Sequence, residues 1–296
     1  MPLSLKHAVQ RLSRFSLTTA DANQLAAFYE NAFGCQRLAM EHLSSAGFET
    51  LLGVRGGALR ITLSLGKQIV ELLQFDQPGR PYPANTLASD LIFQHFAIVV
   101  SDMAGAYGQL STMKEWTAIS CGGPQRLPES SGGVVAFKFR DPDGHPLELL
   151  SFPNGAAPAK WQKIQKDAIC LGIDHSAISV SSTTSSLSFY ESLGFAVSAR
   201  SINHGEEQEK LDGIVETEVE VTALSPQTPC PHLELLCYHP VSRCGTSDRS
   251  NSDIATTRLV LESLDRAASY SAVDPDGHHV VIEGVLDQGW KAARKV

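Results

Sequence analysis

Two histidines and two glutamates recur at matching places in this chain. His95 and His175 each open an alternating apolar strand, His-Phe-Ala-Ile-Val-Val-Ser and His-Ser-Ala-Ile-Ser-Val-Ser. Glu148 and Glu234 each stand inside a Leu-Glu-Leu-Leu strand, and Glu71 holds the same place in a third strand, Val70 to Phe75. A carboxylate in a buried strand is costly unless something pairs with it, so each glutamate marks a spot where a partner must be. Two imidazoles with two carboxylates suit one divalent first-row metal ion: Zn, Ni, Co, Mn or Fe(II). Open coordination positions would let a substrate oxygen bind and be polarised.

The elements that carry these residues also recur. Phe28-Tyr29-Glu30 leads to Gly34 and Phe189-Tyr190-Glu191 to Gly194, while Asp141-Pro142-Asp143-Gly144-His145 returns as Asp274-Pro275-Asp276-Gly277-His278. Internal repeats decide the fold and are settled first. Residues 21–33 place Leu25, Phe28, Tyr29 and Ala32 at helical spacing, with Asp21 as N-cap and Gly34 as stop. Residues 182–193 repeat that pattern with Leu187, Phe189, Tyr190 and Leu193. Strands follow, among them 57–64 and 134–139, and an Asp-Pro-Asp-Gly turn leads into the last one. The unit is strand, helix, then several strands. It occurs over 14–75, 95–152, 175–238 and, much shortened, 258–285.

This pattern resembles the vicinal oxygen chelate superfamily, which includes glyoxalase I, extradiol dioxygenases and bleomycin-resistance proteins. The resemblance rests on H-x-A-I-x-V-S at 95 and 175, the F-Y-E…G helices, D-P-D-G-H and L-E-L-L. It implies an α+β fold of repeated βαβββ modules forming two glyoxalase-like cupped mixed sheets, the fourth module truncated. It divides the chain into an N-terminal domain, 1–155, and a C-terminal domain, 167–296, joined by a connector over 154–166 that holds Trp161. Its metal ligands are the first residue of the opening strand and the carboxylate of the closing strand. Here those positions fall on Arg14, His95, His175 and Arg258, and on Glu71, Glu148, Glu234 and Val281, with Glu283 on the same face as Val281. The complete set is His95, Glu148, His175 and Glu234. Sequential pairing of modules would split it. Nested pairing, two with three and one with four, would unite it and is favoured on ligand completeness. Arg14 or Arg258 paired with Glu71 would replace a lost metal by an ion pair.

Three functions stay open. The first is a metal-dependent lyase or isomerase of glyoxalase type, acting on a small oxygen-chelating substrate through an enediolate-type intermediate, with Glu148 or Glu234 as the catalytic base. The second is an extradiol-type ring-cleaving dioxygenase, for which the four-ligand set has one carboxylate too many. The third is a metal-free small-molecule binding protein of bleomycin-resistance type. Two Gly-containing polar loops are the expected substrate walls, one offering Arg80 and Tyr82, the other Asn203 and Gln208. His145, His278 and His279 sit in or beside turns and read as surface or structural.

Composition narrows the partners. The 296 residues are 43% hydrophobic with a net charge of -8, an ordinary globular balance that disfavours nucleic acid or an anionic membrane as partner. No apolar run is long enough for a membrane span. The N-terminal stretch lacks a signal-peptide core, so a cytoplasmic protein is expected, with a homodimer left open. Six cysteines without a C-x-x-C pair read as reduced thiols. Residues 239–253 are polar and read as a long mobile loop.

Overall fold

The computed structural model describes residues 9–153, 157–162, 168–240, 248–264 and 269–284. Most of the 154–166 connector, residues 241–247 of the polar loop with Cys244, and 265–268 of the last repeat lie outside them.

The first module comprises β1 (Val9–Thr18), α1 (Ala22–Phe33), β2 (Gln36–Leu43), α2 (Ala46–Leu52), β3 (Ala58–Leu65) and β4 (Gln68–Phe75). The second holds β5 (Gln94–Val100), α3 (Met103–Thr112), β6 (Thr117–Ala118), β7 (Gln125–Arg126), β8 (Val135–Arg140) and β9 (Pro146–Ser151). A short α4 (Ala159–Gln162) precedes the third module, β10 (Cys170–Ser179), α5 (Thr183–Ser192), β11 (Ala196–His204), α6 (Glu206–Asp212), β12 (Glu218–Ser225) and β13 (His232–His239). The last segment supplies β14 (Thr257–Ser263), β15 (Tyr270–Val273) and β16 (His279–Gly284). The helix ends follow the sequence signals. The Asp21 side chain accepts from the amides of Asn23 and Gln24, and Gly34 closes α1 at φ 71°, where a Cβ would be strained.

The pairing is nested. One sheet runs β15-β16-β14-β1-β4-β3-β2 and joins the two ends of the chain. The other runs β11-β12-β13-β10-β5-β9-β8-β6 and is built from the middle. Each has the same antiparallel seam. His95 of β5 pairs with Ala177 of β10 and Ala97 with His175. Arg14 of β1 pairs with Val260 of β14 and Ser16 with Arg258. The positions of the two histidines in one seam are thus those of the two arginines in the other.

Strand alternation gives each sheet two faces. Phe96, Ile98, Leu147, Leu149, Leu233 and Leu235 from one sheet, and Val70, Leu72, Leu259 and Leu261 from the other, share a single core with α1, α3 and α5. The alternate residues point into the two cups. The Asp-Pro-Asp-Gly-His turns tie the cups together. Tyr29 of α1 donates to Asp141 at 3.0 Å, and Tyr190 of α5 donates to Asp274 at 3.2 Å. His145 is buried and donates on both sides, to Asp141 Oδ2 at 2.9 Å and to the carbonyls of Ile254 (2.9 Å) and Thr18 (3.0 Å). Burial opposes its charge, but Asp141 outweighs that and raises its pKa. His278 is equally buried, its Nε2 2.9 Å from the Ser179 carbonyl. Segment 248–253 is also anchored: Arg249 donates to the carbonyls of Ala255 and Gly277.

The outer-sheet cup is filled. Phe48, Leu52, Phe75, Val260 and Val281 pack within it, and Glu71 is held between Arg14 (3.2 Å) and Arg60 (3.0 Å). Arg14 also donates to Glu283 at 2.9 Å. Arg258 bonds instead to Thr18, Ser16 and the Asn251 carbonyl. Burial would raise the Glu71 pKa, but Arg14 and Arg60 outweigh it and hold the carboxyl below its usual value of 4.5. A depressed carboxyl contributes stability that is present above its unfolded pKa and lost as pH falls through the folded one. Glu71→Gln removes the shared carboxylate but leaves Arg14 on Glu283 and Arg60 on Glu41, and is expected to cost about 1.5–3 kcal/mol at pH 7. Urea unfolding should show the gap to wild type closing as pH falls below about 4.5. A constant gap across that range would mean that the ion pairs are not what Glu71 contributes.

Candidate metal centre

The inner-sheet cup holds a cavity of about 370 Å³ lined from β11 at one edge to β8 near the other. Its floor is the β5–β10 seam. The alternation that sends Phe96 and Ile98 to the core sends His95 into the cavity; Leu147 and Leu149 do the same for Glu148, and Leu233 and Leu235 for Glu234. His95, Glu148 and His175 each bring one donor atom within 4.8 Å of the others. The two imidazoles meet edge to face, with centroids 5.9 Å apart.

His95 is 2% exposed, and neither ring nitrogen has a hydrogen-bond partner. Glu148 Oε2 lies 3.0 Å from Nε2, at the distance but not the angle of a hydrogen bond. An unbonded buried imidazole is costly unless a ligand takes its lone pair. Burial lowers the His95 pKa and keeps the ring neutral, with Glu148 acting in the opposite direction. A neutral imidazole beside an ionised carboxylate is the form a metal requires. Burial also lowers the His175 pKa, but Glu234, Asp174 and Glu148 outweigh it and bring it to about 9. A metal at this point must therefore displace a proton from His175.

The fourth expected ligand stands aside. Glu234 Oε2 is 3.6 Å from His175 Nε2, and its other oxygen is 3.3 Å from His232 Nε2. Burial raises the Glu234 pKa, yet His175 and His232 pull it down to about 2. His175 is held from behind by Asp174, whose Oδ2 lies 3.2 Å from His175 Nδ1. Asp174 Oδ1 in turn accepts from Trp161 Nε1 at 2.9 Å and Lys160 at 2.8 Å. Asp174 and His175 are neighbours yet serve one site because β10 carries a bulge between Ile173 and His175. A bulge inserts a residue and re-aims the side chains around it. Asp174, His175 and His232 form a second group of donor atoms within 4.8 Å.

Of the expected substrate contacts, Asn203 and Gln208 line this cavity, and Arg80 and Tyr82 do not. Arg80 is drawn to the segment before β14, where Asp253 accepts from its guanidinium at 2.6 Å and its amide at 2.7 Å. Tyr82 packs against His145 (6.0 Å) beneath the Arg140 guanidinium (5.4 Å), in a separate cleft. Three polar residues in or beside the cavity stand outside the expected site. His232 lies two residues before Glu234, and period two alone puts it on the same face. Lys138 interrupts an apolar strand just as the glutamates do. Asp174 gave no signal, because alternation would have turned it to the other face.

Residues 11–149 match the family model described as the Glyoxalase/Bleomycin resistance protein/Dioxygenase superfamily. Over that stretch the chain is similar to that superfamily. No curated protein matches it in sequence. Among solved structures, likeness of fold spans the chain. Glyoxalase I from Zea mays aligns with TM-score 0.56 at 17% identity over 92% of this chain and 91% of that one. A candidate dioxygenase from Bacillus subtilis aligns with TM-score 0.57 at 10% identity over 94% and 86%. At these identities the likeness is one of fold. No described helix is long and apolar enough to cross a membrane.

Carboxylates behind metal-ligating histidines fix tautomer and orientation, and losing one typically costs about 10- to 100-fold in metal affinity. Asp174→Asn is expected to weaken Zn2+ binding by about that factor, read by competition with a chromophoric chelator. An unchanged affinity would show that Asp174 does not orient His175.

Proposed function

We propose that the inner cup binds one divalent metal ion of the Zn, Ni, Co, Mn or Fe(II) class and acts as a glyoxalase-like lyase or isomerase on a small oxygen-chelating substrate. The observation that carries this reading is the convergence of His95, Glu148 and His175 on one buried point, with both His95 nitrogens unbonded. These three residues would hold the ion. When bound it would act as a Lewis acid toward substrate oxygens and acidify the neighbouring carbon.

The chain's own residues supply the remainder. Glu234, outside the triad, is ionised and faces the cavity. It is placed to take a proton from a carbon beside a carbonyl, giving an enediolate, and to return it to the adjacent carbon. His232 keeps one Glu234 oxygen turned away from His175. The walls around Leu127, Leu150 and Leu236 limit water at the reacting carbon.

One observation favours a second reading. With Glu234 engaged by His232, the remaining donors form a 2-His-1-carboxylate set, the arrangement used by non-haem Fe(II) oxygenases. Elemental analysis and two activity assays separate the readings. The wild-type protein is expected to hold about one metal per chain, lost in both His95→Ala and His175→Ala. Glu234→Gln should keep the metal while exchange of solvent deuterium into hydroxyacetone falls by about 10²- to 10⁴-fold. Oxygen uptake with catechol by the Fe(II)-loaded protein, undiminished in Glu234→Gln, would instead support the dioxygenase. A metal-free wild type after reconstitution would leave a binding protein.

A further inference from the structure

A second polar cluster stands in the wall of the same cavity. Lys138, on β8, is the cross-strand neighbour of Glu148 on β9. It is 4% exposed and lines the cavity, its ammonium 5.9 Å from the Phe93 ring centroid. Asp212, at the end of α6, accepts from Lys138 Nζ at 2.5 Å, from Gln208 Nε2 at 2.6 Å and from the Tyr238 hydroxyl at 3.1 Å. Those three bonds fix the orientation of every member. In particular, they turn the Gln208 amide so that Oε1 is the free end.

The cluster is incomplete in an informative way. An ammonium has three donors, and Asp212 is the hydrogen-bond partner of this one among the described residues. Gln208 Oε1 is buried without a partner, and Gln208 also lines the cavity. A tie between β8 and α6 would need only the Lys138–Asp212 pair, and an apolar pair of similar volume would often serve stability as well. Here a buried cation with open donors and a buried acceptor with none of its bonds made face the same space. Open donors and acceptors of this kind cost free energy unless something in the cavity meets them.

We propose that this cluster receives a carboxylate end of the substrate, accepting from Lys138 Nζ, with a neighbouring hydroxyl or N–H donating to Gln208 Oε1. The inference rests on the reading of the cavity as a substrate site. It narrows the substrate to a small hydroxy or amido acid whose chelating oxygens lie toward His95 and His175. Asp212 and Tyr238 are positioning residues that hold Lys138 and Gln208 in place.

The test is calorimetric titration of the Zn2+-reconstituted protein with 3-hydroxypropionate and with its neutral amide, 3-hydroxypropionamide. A charge-assisted bond to Lys138 predicts about tenfold tighter binding of the acid. Lys138→Met should erase that preference while zinc content is unchanged, and Lys138→Arg should retain part of it. Lys138→Met/Asp212→Asn removes both charges, guards against misfolding of the single variant and should behave like it. Equal binding of acid and amide by wild type, binding of neither, or a preference that survives in both Met variants would overturn the proposal and leave Lys138–Asp212 as a structural tie. A Lys138-dependent preference in a protein that takes up no zinc would uphold this inference while removing the metal-dependent function.

Discussion

A carboxylate set into a buried strand must be met by something, and the two cups of this protein meet that constraint in different ways. In the outer sheet, Glu71 sits between two guanidiniums that are themselves buried, and hydrophobic side chains fill the remaining space. In the inner sheet, Glu148 and Glu234 sit beside imidazoles, and the space stays open. The backbone frame is the same in both, down to the register that places Arg14 and Arg258 where His95 and His175 stand. A guanidinium cannot lose its proton and so closes the account of charge inside the protein. An imidazole can be neutral and leaves a lone pair to offer. The choice of base at two positions thus goes with a filled cup in one sheet and an open, imidazole-lined cup in the other.

Much of this was legible from residue patterns. The repeat of His-x-Ala-Ile, Phe-Tyr-Glu, Asp-Pro-Asp-Gly-His and Leu-Glu-Leu-Leu carries the alternation and turn chemistry that build each module. Nested pairing follows from asking which arrangement unites the four polar positions. His145 and His278 read as surface or structural, and their burial and bonds leave only the second. Asp174 was hidden because a bulge breaks the period of two on which strand reading depends. Arg80 was misplaced for a different reason: a polar loop near a closing strand has no fixed direction until a partner is known, and Asp253 lies 173 residues further along. Lys138 could have been found by the argument applied to the glutamates, since a lone charge in Val-Ala-Phe-Lys-Phe calls for the same explanation.

The inner cavity gathers its polar groups into two sets that share one wall. His95, Glu148 and His175 converge on one point, with Glu234 and Asp174 beside them. Lys138 and Gln208 stand across β8 and α6, tied through Asp212. Burial keeps His95 neutral, whereas burial opposes the charge of Lys138 and is outweighed by Asp212 and Glu148.

The nested topology also orders events during synthesis. The inner sheet uses a contiguous stretch from β5 to β13, so all of its strands are present well before the chain is finished. The outer sheet pairs β1 with β14 and needs β16 at its far edge, so the first module must wait for the last segment to emerge. Contacts of such sequence separation form slowly. Tyr29 of α1 and the Thr18 carbonyl of β1 both bond to the Asp141–His145 turn of the second module, and these contacts need no residue of the last segment. The turn that joins the two cups in the finished protein therefore grips the first module through residues that are all made before its last partner strand.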